Sequence, residues 1–220
     1  ARRKDAHRNI LERFRQGEAR ILVGTQMVAK GLDYPNVSLV GVVSADTSLN
    51  IPDFRSAERT FQLILQVAGR AGRSPRGGEV VVQTYCPDHY SIVAAAAGDY
   101  QTFYRQELEI RRETGYPPFS RVISLLFQSV SERTVMRSAD RVCALLRDRL
   151  SRSRSEVQVL GPSPAPLVKV KDQYRWYVWL KGTDMSDAMQ LLNNVILHVV
   201  PRLKKVGVTV TITVDPMSMM

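Results

Sequence analysis

The chain has 220 residues, 44% of them hydrophobic and 24% charged, with a formal net charge of +10. That length suits one or two domains with a buried core, and no apolar run is long enough to span a membrane, nor is a leader pattern visible, so a cytoplasmic location is expected. The positive balance points to a polyanionic partner, with nucleic acid first and an acidic peptide second.

Asp5 to Gln16 has Ile10, Leu11 and Phe14 on one helical face and arginines on the other. Gly17 ends that helix, and the apolar run from about Arg20 to Gly24 reads as a buried strand. Thr25-Gln26-Met27-Val28-Ala29-Lys30-Gly31-Leu32-Asp33 follows it. Val37 to Ala45 is almost wholly apolar, as in a strand covered on both faces of a parallel sheet. Asp46, at its end, reads as a cap in preference to an interface carboxylate. Ala57 to Ala68 places Phe61, Ile64, Leu65 and Ala68 at helical spacing, and Glu79 to Tyr85 supplies a third strand. Strands alternating with helices make an α/β layer whose ligands bind beyond the carboxyl ends of the strands.

The helix before Ala68 runs into Gln66-Val67-Ala68-Gly69-Arg70-Ala71-Gly72-Arg73. Two arginines three residues apart, among small residues, present forked and permanently charged groups suited to phosphate. The strand-end threonine with Gly31-x-Asp33 resembles motif V of superfamily 2 helicases, and Q-x-x-G-R-x-G-R resembles their motif VI. With Pro52-Asp53-Phe54-Arg55-Ser56-Ala57-Glu58-Arg59 between them, the chain resembles the PriA family of bacterial replication-restart helicases (primosomal protein N′).

The resemblance implies a second RecA-like lobe, a parallel sheet truncated at its N-terminus, and an ATP-dependent 3′-5′ DNA helicase in the full-length protein. It makes Arg73 the arginine finger, Arg70 its partner on the phosphates and Gln66 a nucleotide or inter-lobe contact. Gly31 and Asp33 become nucleotide-binding, with Asp33 on a ribose hydroxyl. Thr25 becomes a contact to the DNA strand, with Gln26 and Lys30 as its neighbours. Arg55 stays open between a DNA or inter-lobe contact and an ion pair within its own helix. No G-x-x-x-x-G-K-[ST] loop and no Asp-Glu-x-His run occurs. The chain is therefore expected to be the C-terminal part of the helicase and inactive alone. ATP and magnesium would act in the full-length enzyme, with zinc on upstream cysteines absent here. No metal site is expected in this chain, because Cys86, Cys143, His7, His89 and His198 lack ligand spacing.

Pro87 to Thr114 suggests helical segments broken near Gly98, its aromatics docking rather than stacking on bases. Gly115-Tyr116-Pro117-Pro118-Phe119 reads as a boundary. The expected divisions are 1–86 for the helicase lobe, 87–118 for a connector and 119–220 for a C-terminal domain. In that last part, Arg121 to Gln128 reads as a strand and Ser129 with Glu132 as a capping box opening a helix to about Leu150. Val157 to Leu160 and Tyr174 to Lys181 read as strands, Asp184 to Val199 as a helix and Val206 to Val214 as a last strand. That order, βαββαβ, is the small α+β ferredoxin-like arrangement. Gly161-Pro162-Ser163-Pro164-Ala165-Pro166 and Tyr174-Arg175-Trp176 resemble the family's C-terminal domain.

Lys169, Lys171 and Lys181 flank Tyr174, Arg175 and Trp176, which makes a DNA-binding surface near the proline-rich loop one reading; tryptophans divided between core and surface is the other. The resemblance adds branched or forked DNA, single-stranded DNA, single-stranded DNA-binding protein and other primosome proteins as partners of a monomer. A stand-alone, non-catalytic module binding DNA or an acidic peptide is the alternative function.

Overall fold

The computed structural model describes residues 2–25, 37–71, 78–153 and 155–219, without the side chains of residues 2–7 and of Arg70. The chain divides into two compact units, residues 1–49 with 57–103, and residues 50–56 with 104–220.

The first unit holds helix α1 (Arg2–Arg15), strand β1 (Leu39–Val42), a short helix α2 (Asp46–Leu49), most of helix α3 (Ser56–Ala71), strand β2 (Glu79–Val82) and helix α4 (Tyr90–Ala97). Strands β1 and β2 run parallel, with Leu39 opposite Glu79 and Val42 opposite Val82, so the expected parallel pairing is present. Both strands are shorter than the apolar runs that signalled them. Their alternate residues are half-buried, while Leu39 and Val43 are 58% and 76% exposed, so β1 is not buried on both faces. A two-stranded sheet packed on one side leaves its other side bare.

The expected strand over 20–24 does not form. Ile21 and Val23 are 81% and 87% exposed, and the run is paired with neither described strand of this sheet. An extended segment without a ladder partner keeps its amides and carbonyls on solvent. Asp46 departs from the cap reading as well. Its carboxylate accepts from the Thr84 hydroxyl at 2.9 Å and the Tyr85 amide at 3.2 Å, which stitches the turn after β1 to the chain leaving β2.

Helix α3 supplies the centre of this unit. Phe61 and Ile64 are buried with Ala45, Ile92, Ala94, Ala95 and Phe103, and the Phe61 and Phe103 rings stack with centroids 4.1 Å apart. Gly98, at φ +66°, closes α4 by donating its amide to the Ala94 and Ala95 carbonyls. A left-handed residue at that place is the ordinary glycine stop. The break expected near Gly98 is therefore observed, and helix α5 (Tyr100–Thr114) follows.

The second unit is built on strands β3 (Arg121–Ser129), β4 (Gln158–Val170), β5 (Gln173–Gly182) and β6 (Thr209–Val214), in the order β4-β5-β3-β6 with every neighbour antiparallel. Helix α6 (Glu132–Arg152) connects β3 to β4; α7 (Ser186–Asn194), a π-helical turn (Val195–Val199) and α8 (Val200–Lys205) connect β5 to β6. This is the ferredoxin-like order anticipated from the sequence. Ile123, Leu125 and Phe127 of β3 alternate onto the same face as Val178 and Leu180 of β5. There they meet Val135, Ala139, Val142, Leu146 and Leu150, the three-and-four-spaced stripe of α6. Val122, Tyr177 and Trp179 gather on the opposite face with Ala165.

Two local readings change. Ser131, rather than Ser129, caps α6 by accepting from the Thr134 amide at 3.3 Å, and the Ser129 hydroxyl accepts from the Ser131 amide. The proline-rich run is not a loop: Gly161 to Pro166 lies within β4, with register irregularities between Leu160 and Ser163 and between Pro164 and Lys169. Proline cannot donate to a ladder, and β4 is an edge strand with bulges, which is where a sheet tolerates it.

Candidate functional site

Helix α3 continues through the first part of the arginine motif to Ala71. At 100° per residue, Gln66, Gly69 and Arg70 fall together on one side of the helix, three and four positions apart. Phe61, Ile64 and Ala71 occupy the packed side. The helix thus keeps its polar motif positions off its own core. Gln66 is half-buried and Gly69 exposed. Thr25 is exposed in an irregular stretch. Gln26, Lys30, Gly31, Asp33 and Arg73 lie outside the described residues, as does the side chain of Arg70.

Alternation along β5 separates the three residues expected to form one DNA surface. Tyr174 and Trp176 lie on the helix-covered face and pack against the main core, while Arg175 lies on the other face and reaches the Tyr177 hydroxyl at 3.4 Å. Tyr174 sits beneath Lys169, whose ammonium is 5.2 Å from its ring centroid and 3.1 Å from an Asp172 oxygen. The hydrogen bond to Asp172 pushes the Lys169 ammonium above its ordinary range. Lys171 and Asp172, at φ 49° and 60°, form the two-residue turn joining β4 to β5, so Lys169 and Lys171 gather at a tight hairpin, while Lys181 stands at the other end of β5.

Arg55 is not paired with Glu58 of its own helix. Its guanidinium donates to the Pro216 carbonyl at 3.4 Å and lies 4.9 Å from the Phe54 centroid. Phe54, Arg55, Pro117, Ser120, Arg121, Val122, Asp215 and Pro216 line a shallow pocket of about 210 Å³. On its wall, Arg121 donates to Asp215 at 2.6 Å, and that hydrogen bond holds the Asp215 carboxyl below the usual carboxylate range. Sequence reading missed this cluster, whose partners lie some 160 residues apart. The local signal was an aspartate, an aromatic and an arginine in succession just before a helix.

Among the described residues no group of three or more His, Cys, Asp or Glu side chains is arranged to hold a metal ion. No helix among them is long and apolar enough to cross a membrane.

Family comparison divides the chain in two. The helicase conserved C-terminal domain matches residues 2–75, and the primosomal protein N C-terminal domain matches residues 112–217. The replication restart protein PriA of Bacillus subtilis (strain 168) is 43% identical over 220 residues, covering 99% of this chain and 27% of the relative. That of a Synechocystis species is 41% identical over 217 residues, covering 99% and 25%, and that of Chlamydia pneumoniae is 36% identical over 217 residues, covering 98% and 28%. The chain thus spans about a quarter of the length of these relatives. An arginine-glycine helix inside a helicase C-terminal match, followed by a ferredoxin-like domain inside a primosomal match, has one reading: the chain belongs to the PriA family of replication-restart helicases.

Proposed function

We propose that this chain supplies the second RecA-like lobe and the C-terminal domain of an ATP-driven 3′-5′ DNA helicase that restarts stalled replication forks. The observation that carries this reading is that helix α3 runs through the first part of the arginine motif, Gln66 to Ala71, with Gln66 and Gly69 on the side away from Phe61 and Ile64. In this reading Arg73 is the finger that stabilises charge spreading over the transferred phosphoryl group, and Arg70 and Gln66 hold phosphate and nucleotide. Gly31 and Asp33 line the nucleotide, while Thr25, Gln26 and Lys30 face the tracked strand. ATP is the substrate of the longer enzyme, and magnesium, when bound there, neutralises phosphate charge. In this reading the ligands of that ion belong to other parts of the longer protein.

The test is Arg73→Ala in the full-length protein. DNA-stimulated ATP hydrolysis should fall by about 10³-fold or more, as when other arginine fingers are removed, with nucleotide binding largely kept. Turnover equal to that of the unmodified protein refutes the assignment.

A second reading has an observation of its own, the hairpin carrying Lys169 and Lys171 on a chain of net charge +10. By itself the C-terminal domain would bind forked DNA, or an acidic peptide such as the tail of single-stranded DNA-binding protein. Titration of the chain with each, over a range of salt, distinguishes the two ligands. Binding that weakens steeply with salt supports the reading, and absence of binding to both rejects it.

A further inference from the structure

Residues 50–56 immediately precede helix α3, yet they belong to the second compact unit. Asp53 is 8% exposed. One of its carboxylate oxygens accepts from the Arg55 amide at 3.0 Å. The other accepts from the Met219 amide at 3.0 Å and the Ser218 hydroxyl at 3.2 Å. Phe54 stacks on Tyr116 with centroids 5.0 Å apart and planes 10° from parallel, and the Arg111 guanidinium lies 5.2 Å from the Phe54 centroid. Arg111 in turn is paired with Glu107 at 2.6 Å. Lys181 reaches over the other participant, Tyr116, at 4.7 Å and donates to the Thr114 carbonyl at 2.9 Å.

A helix start needs only local capping partners. A buried carboxylate whose second oxygen is spent on residues 165 and 166 positions away does more than cap. It fixes the peptide entering α3 to the chain that leaves β6. Charge-assisted bonds of this kind hold geometry better than apolar contact, because a displaced carboxylate loses its donors at once.

We propose that Asp53 is a positioning residue that couples the C-terminal domain to the arginine motif. It fastens residues 53–56 to residues 216–219, and the covalent chain then leads directly through α3 to Gln66 and Arg70. DNA engaged by the C-terminal domain thereby biases the nucleotide-contacting helix without touching nucleotide itself. The inference rests on the helicase reading above.

The test uses the full-length protein, with Asp53→Ala, deletion of residues 217–220, and both together. Each single change should lower stimulation of ATP hydrolysis by forked DNA about tenfold, a usual size for coupling between sites. Hydrolysis without DNA should stay unchanged and affinity for forked DNA should move less than about twofold. The combined variant should lose no more than either alone, because both cut one junction. Circular dichroism and thermal melting of each variant are read alongside. Full stimulation in Asp53→Ala, losses that multiply in the combined variant, or a loss matched by an equal drop in folded fraction each overturn the proposal. Absence of DNA-stimulated hydrolysis in the unmodified protein removes the helicase reading instead, and this inference with it.

Discussion

Replacing Arg111 by methionine removes one half of the most deeply placed ion pair described in the second unit. Arg111 donates to one Glu107 oxygen through Nε at 2.7 Å and an Nη at 2.6 Å, and to the Pro117 carbonyl at 3.4 Å. The two side chains are only 13% and 8% exposed, so water screens the pair poorly. Taking one member from a buried pair costs about 3–5 kcal/mol, because the remaining charge stays desolvated. The expected loss is set at the lower end of that range, about 3 kcal/mol. Methionine preserves most of the alkyl stem, so packing contributes little to that figure. At about 4–8 °C per kcal/mol for a domain near 100 residues, the melting temperature should drop by roughly 12–24 °C.

The double change Glu107→Met with Arg111→Met removes both charges and should cost about 1 kcal/mol or less, since apolar replacement of a whole buried pair is often neutral. Both tryptophans of the sequence, Trp176 and Trp179, lie in β5. Urea unfolding followed by tryptophan fluorescence therefore reports this unit selectively. A single-variant loss under about 1 kcal/mol, or a double variant as damaged as the sum of its parts, refutes the reasoning.

Phe61→Ala strikes the first unit. The ring is 2% exposed and stacked on Phe103, so a loss of about 3–5 kcal/mol is expected, read as early loss of helical dichroism while tryptophan fluorescence stays native; coincident loss of both signals counts against independent units. Asp215→Asn tests the surface pair with Arg121. The folded carboxyl titrates below its ordinary value because Arg121 donates to it, so its contribution is complete above about pH 4, the unfolded value, and fades as pH falls through the folded one. With side chains 57% and 44% exposed, that contribution is under about 1 kcal/mol. The urea midpoints of wild type and variant should differ slightly at pH 7 and converge on acidification; a gap that widens in acid refutes the pairing.

How far the sequence could be read depended on where each signal finds its partner. The stripe Val135, Val142, Leu146 and the alternation Tyr174 to Lys181 are carried by one element each, and both elements formed as read. The run at 20–24 carried an equally apolar signal but needed a neighbouring strand, and it stays irregular and exposed. Pro162, Pro164 and Pro166 spelled a loop because sequence cannot reveal that β4 is an edge, where the missing donors cost little. The same limit hid Asp53. It stood only within the run Pro52 to Arg59, whereas its partners Ser218 and Met219 are 165 and 166 residues along the chain. The described part of the arginine motif, Gln66 to Ala71, was legible as helix for the opposite reason: its spacing of three and four residues is a property of one helix. Residues whose chemistry is local announced themselves, whereas Asp53, whose chemistry joins distant segments, shows its part only in the folded chain.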